Sequence, residues 1–235
     1  MLVDNHAGAS GQIGSKYVAH AQPDGNTLLL TPIQHVINPA LRSNIPYDAQ
    51  RDFTPIAFLA SASIVLLVHP SLPVNSVQEY LAYAKKKNGL SSGISGIGGG
   101  NHLSGELLAL QMGAPLALVH VPHEGSAPAL NDLFGSQIPS AFNNDLPTAM
   151  PYILDGRLKA LGVTSRNRAK ALPDVPTIAE QGVPGYESST WFALYGPANL
   201  PAPLIALLYT IKRCAVCTAR KWQASCGKAV VSRGI

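Results

Sequence analysis

An α/β fold is predicted by three features of the sequence. Short apolar, β-leaning runs alternate with segments of helical periodicity, the pattern of a largely parallel sheet with crossover helices. Hydrophobic residues make up 46% of the 235 positions and charged residues only 13%, which supports a sizeable core and argues against disorder. The longest apolar stretch, Ile56 to Val68, is 13 residues broken by serines, short of the ~20 that a membrane-spanning helix needs. The length allows one large domain or two small ones.

The elements follow in order. Strands are expected at Thr27–Thr31, Ile64–Val68, Ala117–Val121, Leu158–Thr164 and Trp191–Tyr195. A first helix follows the glycine-rich run ending at Gly14, with Ile13, Tyr17 and Ala21 facing inward. Ser76 and Glu79 form a capping box, in which hydroxyl and carboxylate satisfy orphan N–H groups of the first turn. The helix they open carries Val77, Leu81 and Ala84 on one face and ends in Lys85-Lys86-Lys87, which suits the negative end of its dipole. Another helix starts near Asn101, sets Leu103, Leu107 and Leu110 on one face and stops at Gly113. Further helices are expected at Ser126–Phe134, Pro147–Leu154 and Ala202–Lys212. Pro70 and Pro73 flank a possible crossover between lobes.

The net charge of +4 belongs to the tail: residues 188–235 hold six Lys/Arg and no acid, whereas residues 1–187 carry 11 Lys/Arg against 13 Asp/Glu. The body therefore has no basic stripe for nucleic acid. All three cysteines, Cys214, Cys217 and Cys226, also sit in the tail, where a fourth zinc ligand is missing. No charged segment followed by an apolar one opens the chain, so no secretory signal is visible.

Three loops rich in Gly and Ser precede helices: Ala7–Gly14, Ser95–His102 and Pro122–Pro128. Small residues let backbone N–H groups approach a ligand, and a helix N-terminus favours an anion. A carboxylate held this way needs no arginine, and the three loops contain none. Tight turning alone is the other reading of such loops. Nucleotide motifs fail, because no Gly-Lys-Ser/Thr occurs and the sixth position from Gly96 is Asn101 rather than glycine. Gly89-Leu90-Ser91-Ser92-Gly93 formally matches a nucleophile elbow, but Lys85 to Asn88 before it read as a helix end rather than a strand. His120, His123 and Glu124 suggest a metal, yet strand positions three apart face opposite sides and no third ligand is evident. His120 therefore reads as a packed strand residue. His102 caps, packs or touches ligand. No metal, cofactor or catalytic residue is expected.

Certain motifs recur in a fixed order. Asp4-Asn5 precedes Gly8-Ala9-Ser10-Gly11-Gln12-Ile13-Gly14, then come Pro23-Asp24-Gly25-Asn26-Thr27, Ile37-Asn38-Pro39-Ala40-Leu41 and Arg51-Asp52-Phe53-Thr54-Pro55. His102-Leu103-Ser104-Gly105-Glu106-Leu107, Val119-His120-Val121-Pro122-His123-Glu124-Gly125-Ser126, Leu158-Lys159-Ala160-Leu161-Gly162 and Leu172-Pro173-Asp174-Val175-Pro176-Thr177 follow. Over about residues 3–212 this series resembles the Bug family, the solute-binding components of tripartite tricarboxylate transporters.

The resemblance implies a type II periplasmic-binding-protein-like fold, with two α/β lobes, mostly parallel sheets and a cleft between them. Lobe 1 would comprise residues 1–68 plus 191–235, incomplete and discontinuous, and lobe 2 residues 69–190. It implies capture of a small organic acid, presented in the periplasm to membrane permease subunits by a monomer, with no nucleic acid and no enzymatic step. The contacts implied are Ala9, Ser10 and Gly11 from one lobe, and Ser95, Gly98, Gly99, His102, His123 and Gly125 from the other. His123 and Glu124 stand where the family commonly has Tyr and Lys, and Asn143-Asn144-Asp145 falls near another pocket position. Against the family pattern, the chain begins inside a strand at Met1-Leu2-Val3 and changes composition after Lys212, the signature expected of N-terminal truncation and a C-terminal frame shift. The competing expectations are a non-functional remnant, and a hydrolase using Ser91 or His102 with Glu106.

Overall fold

The chain divides into two units, Met1–Ser61 with Trp191–Ile235, and Ala62–Thr190. The computed structural model describes residues 2–6, 8–113, 118–143, 145–218 and 229–232, and of 211–218 and 229–232 the backbone alone. The elements are β1 (Leu2–Asn5), α1 (Gln12–Ala19), β2 (Thr27–Pro32), α2 (Gln34–Leu41), β3 (Phe53–Ser63), β4 (Val65–Val68), α3 (Val77–Lys86), β5 (Leu90–Ile94) and α4 (Gly100–Gln111). Then come β6 (Leu118–Pro122), α5 (Ser126–Phe134), β7 (Ser140–Asn143), α6 (Leu146–Leu154), β8 (Lys159–Val163), β9 (Ser189–Pro197), α7 (Ala202–Thr218) and β10 (Ala229–Ser232). No helix among the described residues is long and apolar enough to cross a membrane.

In the first unit the strand order is β1-β10-β2-β9-β3. The pairs β1–β10, β10–β2 and β2–β9 are all antiparallel. β2 shows why both faces of this sheet are covered. Leu28 and Leu30 pack with Ile56, Ala57 and Leu200, whereas Leu29 between them packs with Val18, Tyr47 and Phe53. That is the two-residue alternation of a strand with a core on each side.

In the second unit the order is β6-β5-β7-β4-β8. β5 runs parallel to β6 and β7, while β4 is antiparallel to β7 and β8. Neither sheet is therefore mostly parallel: the pairs given for the first are antiparallel, and the second is mixed. A helix between consecutive strands does not by itself make them parallel: α3 lies between β4 and β5, yet the two run in opposite directions within one sheet. The first unit ends at Ser61 rather than Val68, because β4 lies inside the second sheet. Its four residues are fully buried and split between two cores: Leu66 and Val68 join Tyr80, Leu108 and Phe142, while Val65 and Leu67 join Leu130, Leu133 and Ala149. A continuous apolar run is what a strand covered on both faces requires.

Local signals place several elements. Ser76 Oγ accepts the Glu79 N–H (3.1 Å), and Glu79 Oε2 accepts the N–H of Asn75 (2.7 Å), one residue before the position a capping box ordinarily serves. Ser76→Ala is expected to cost about 1 kcal/mol in denaturant unfolding, with Ser76→Asp restoring it. An unchanged midpoint for Ser76→Ala would show that tertiary packing alone holds the end of α3.

Two inward faces differ from expectation. On α1, Ile13 and Tyr17 are exposed, and Gln12, Ser15 and Val18 are buried. The Ser15 hydroxyl bonds His35 Nδ1 (3.1 Å) and Val18 meets Leu29, so a small, partly polar stripe faces the sheet. On α4, Leu110 is exposed while Asn101, Ser104, Gly105 and Leu108 are buried. Ser104 bonds the Gly100 carbonyl and Ser188, and glycine at 105 lets the ring of Phe142 lie against the helix. The side chains of Cys214 and Cys217, the whole of Cys226, and Ala117 lie outside the described residues.

Candidate functional site

The register of β5 and β6 sets the second unit's site. Ile94 pairs with Pro122 at the ends of the two parallel strands, and the His123 N–H donates to the Ile94 carbonyl (2.8 Å). The loops at 95–99 and 123–125 therefore leave the sheet side by side, and α4 and α5 both begin at this edge. β7 is parallel to β5 and leads at the same edge through Asn143 and Asp145 into α6.

Both neighbouring helices lack a side-chain cap. The N-cap of α4 is Gly99 and that of α5 is Gly125, and neither supplies an acceptor for the first turn. The opening N–H groups of a helix have no intrahelical partner, and the dipole makes this end positive. Gly125 adopts φ 116°, ψ 177°, backbone that only glycine enters readily.

Ser95, Gly98, Gly99 and His102 lie around the start of α4. Asn101 Nδ2 donates to Ser95 Oγ (2.7 Å), and the Gly98 N–H donates to His102 Nδ1 (3.2 Å). Two buried polar atoms here have no hydrogen-bond partner, Asn101 Oδ1 and Thr190 Oγ1. Thr190 stands against Gly100, whose position would put a Cβ 3.2 Å from the threonine Cβ. His123 is held by its own neighbours. Its ring nitrogens face the Val121 carbonyl (2.9 Å) and the Asp132 carboxylate (2.8 Å), so the side chain is engaged inside the protein.

His120, the packed strand residue, has company the sequence did not reveal. Its Nε2 lies 2.7 Å from Glu106 Oε1, an ion-pair contact without the alignment of a hydrogen bond. Its ring meets that of His102 edge to face at 4.6 Å. Burial pushes the His120 pKa below the ordinary histidine value, with the neighbouring His102 adding to this and Glu106 opposing it.

In the first unit, Ala9, Ser10 and Gly11 form a tight turn at the start of α1. Four consecutive residues have positive φ: Gly8 121°, Ala9 46°, Ser10 57° and Gly11 87°. For Ala9 and Ser10 that conformation is strained, and strain of this kind clusters at ligand-binding turns. Asn38 Nδ2 donates to the Ser10 carbonyl (3.2 Å) and Arg42 Nη2 to its hydroxyl (3.3 Å).

The family described as the tripartite tricarboxylate transporter family receptor matches residues 1–222. The chain belongs to this receptor family. It is 37% identical over 210 residues to a protein from the tcbD-tcbE intergenic region of Pseudomonas sp. (strain P51), and 33% identical over 211 residues to BugT of Bordetella pertussis. Each match takes in 88% of this chain, which spans 62% and 64% of those relatives. Among solved structures, an R. palustris protein with adipate is 34% identical, with a TM-score of 0.85, over 100% of this chain and 78% of its own. MatC of Rhodopseudomonas palustris with bound malate is 28% identical, with a TM-score of 0.80, over 94% and 76%. The α/β fold of these receptors is thus the fold of this chain.

Sequence reasoning missed Thr190, which is 90 residues from the Gly100 it touches, and Arg42, which is 32 residues from Ser10. Neither has a local signal. Ala9 also borders an open hollow of about 890 Å³ in the first unit. That hollow is lined by His6, Ile13, Lys16, Tyr17 and Pro46, and among the other expected ligand contacts of this unit it includes neither Ser10 nor Gly11. Ser91 lies inside β5, paired with Val119, and not on a strand-to-helix turn.

Proposed function

We propose that this chain captures a small organic carboxylate as the solute-binding component of a tripartite tricarboxylate-type transporter. The observation that carries this reading is the pair of glycine-capped N-termini, α4 and α5, set side by side by the register of β5 and β6. A carboxylate there accepts orphan N–H groups and sits at two positive dipole ends, so no cationic side chain is required. The Thr190 hydroxyl offers a further donor. Membership in the receptor family, and likeness to proteins solved with adipate and with malate, support an organic acid as ligand.

The partners are then the membrane permease subunits, the chain acts as a monomer, and its compartment is the periplasm, named for two related structures. The reading is of capture without turnover. Ser91 is a strand residue, and Glu106 is engaged with His120 rather than with a nucleophile.

Thermal unfolding with mono-, di- and tricarboxylates tests this. A ligand at 100 times its dissociation constant stabilises by about 2.7 kcal/mol, which raises the midpoint by roughly 5–10 °C. Gly125→Ala is expected to abolish the shift. Gly89→Ala places alanine at a comparable positive φ, 122°, ahead of β5 and away from these loops, and is expected to retain it. A melt that no carboxylate moves would refute the reading.

A further inference from the structure

We propose that His102, Glu106 and His120 form a site for one divalent transition-metal ion of the zinc class. His102 and Glu106 lie one turn apart on α4, and His120 reaches them from β6. One potential ligand atom from each residue lies within 4.8 Å of the others. This donor set of two imidazoles and one carboxylate suits zinc, cobalt or nickel rather than calcium or magnesium.

The state of His120 points to a ligand. Its side chain is 10% exposed; Nδ1 has no hydrogen-bond partner, and Nε2 has only the contact with Glu106 Oε1 at 2.7 Å. A neutral imidazole presents one N–H and one lone pair, and buried groups of this kind are ordinarily both satisfied. A metal ion on the lone pair would satisfy one of them. The chain makes room for the ring: a Cβ at Gly105 would stand 2.7 Å from His120 Cε1, so glycine there admits the imidazole between His102 and Glu106.

The donor atoms, within 4.8 Å of one another, must rearrange to close on one ion. Ligands about 2.0–2.2 Å from a tetrahedral ion sit roughly 3.3–3.5 Å apart. Glu106, half exposed and 2.7 Å from His120 Nε2, withdraws by less than 1 Å by side-chain rotation, and solvent on its open side supplies the remaining coordination position. His102 exchanges partners: its lone pair now accepts the Gly98 N–H, and metal takes the place of that bond. Metal occupancy thereby frees an N–H in the loop before α4.

Cobalt(II) and zinc(II) titration of the whole chain, read by visible absorption and calorimetry, tests the site. One cobalt per chain is expected, displaced by zinc. Glu106→Gln and His102→Gln are each expected to weaken uptake at least tenfold, while circular dichroism shows both variants folded. Absence of saturable uptake by the parent overturns the proposal. So does uptake unchanged in either variant, including cobalt held by the tail cysteines, which a near-ultraviolet thiolate band identifies. Neither readout depends on carboxylate binding, so failure here leaves the proposed function standing and the reverse also holds.

Discussion

Replacing Phe142 with alanine is expected to lower the stability of the second unit by about 3–5 kcal/mol, among the largest effects available to one substitution. The ring is 1% exposed in β7, pairs across to Leu66 of β4 and packs in the core with Tyr80, Leu108 and Leu118. It also lies against α4, where a Cβ at Gly105 would come within 3.2 Å of Cε2. Removing it leaves a void that a strand hydrogen-bonded on both sides closes poorly. For a chain of this length the melting midpoint should fall by roughly 6–20 °C. Gly105→Ala overfills the same place and should cost about 1–3 kcal/mol alone. Phe142 is one of two rings that a Cβ at 105 would meet, His120 being nearer at 2.7 Å, so the double variant should fall short of the sum of the two by the share of the clash that Phe142 contributes, which a double-mutant cycle reads directly. Additive losses would show that the crowding at position 105 falls on His120 and not on Phe142.

The same contact shows what a sequence discloses and what it withholds. Features governed by neighbours a few residues apart were legible. The Ser76–Glu79 cap lies where expected, α5 has the expected bounds Ser126–Phe134, and the run before His69 is a strand buried on both faces. The glycine-rich loops before α1, α4 and α5 were legible for the same reason, since an uncapped N-terminus is a local property. The inward faces of α1 and α4 were not. Apolar periodicity favours Ile13 with Tyr17 and Leu103 with Leu110, but the buried stripes are chosen by contacts from elsewhere in the chain: His35 for Ser15, Ser188 for Ser104, and His120 and Phe142 for Gly105. The direction of β4 was hidden because a parallel sheet was inferred from helices between strands, and α3 joins β4 to β5 although the two run in opposite directions. Arg42 at Ser10, Thr190 at Gly100 and His120 at Glu106 are meetings made by the fold, and no spacing announces them.

Acid should unfold the first unit through His35. The ring is 1% exposed on α2, stacked on Tyr47 at 5.0 Å, edge-on to Phe53 at 4.5 Å and beside Tyr195 at 5.0 Å. Ser15 bonds Nδ1, and Nε2 has no hydrogen-bond partner. Burial pushes its pKa from 6.5 down to about 4, because this aromatic box offers a charge no solvent and no counter-ion. The unfolded chain therefore takes up the proton first as pH falls. The stability is intact above the unfolded value of 6.5 and is lost progressively toward the folded value of about 4. Fully expressed, a displacement of this size amounts to about 3 kcal/mol. His120, with a pKa displaced in the same direction, adds a parallel loss in the second unit, whereas Asp24, Asp48 and Glu180, whose pKa values are lowered from the carboxylate range, act at lower pH. The comparison that isolates His35 is His35→Phe, which keeps an aromatic ring in the stack and cannot be protonated. Denaturant midpoints taken from pH 7 to pH 4 should fall less steeply for the variant than for the parent. Equal slopes would mean that the ring is protonated in the folded protein as readily as in the unfolded one, and that the box opens to water before the first unit unfolds.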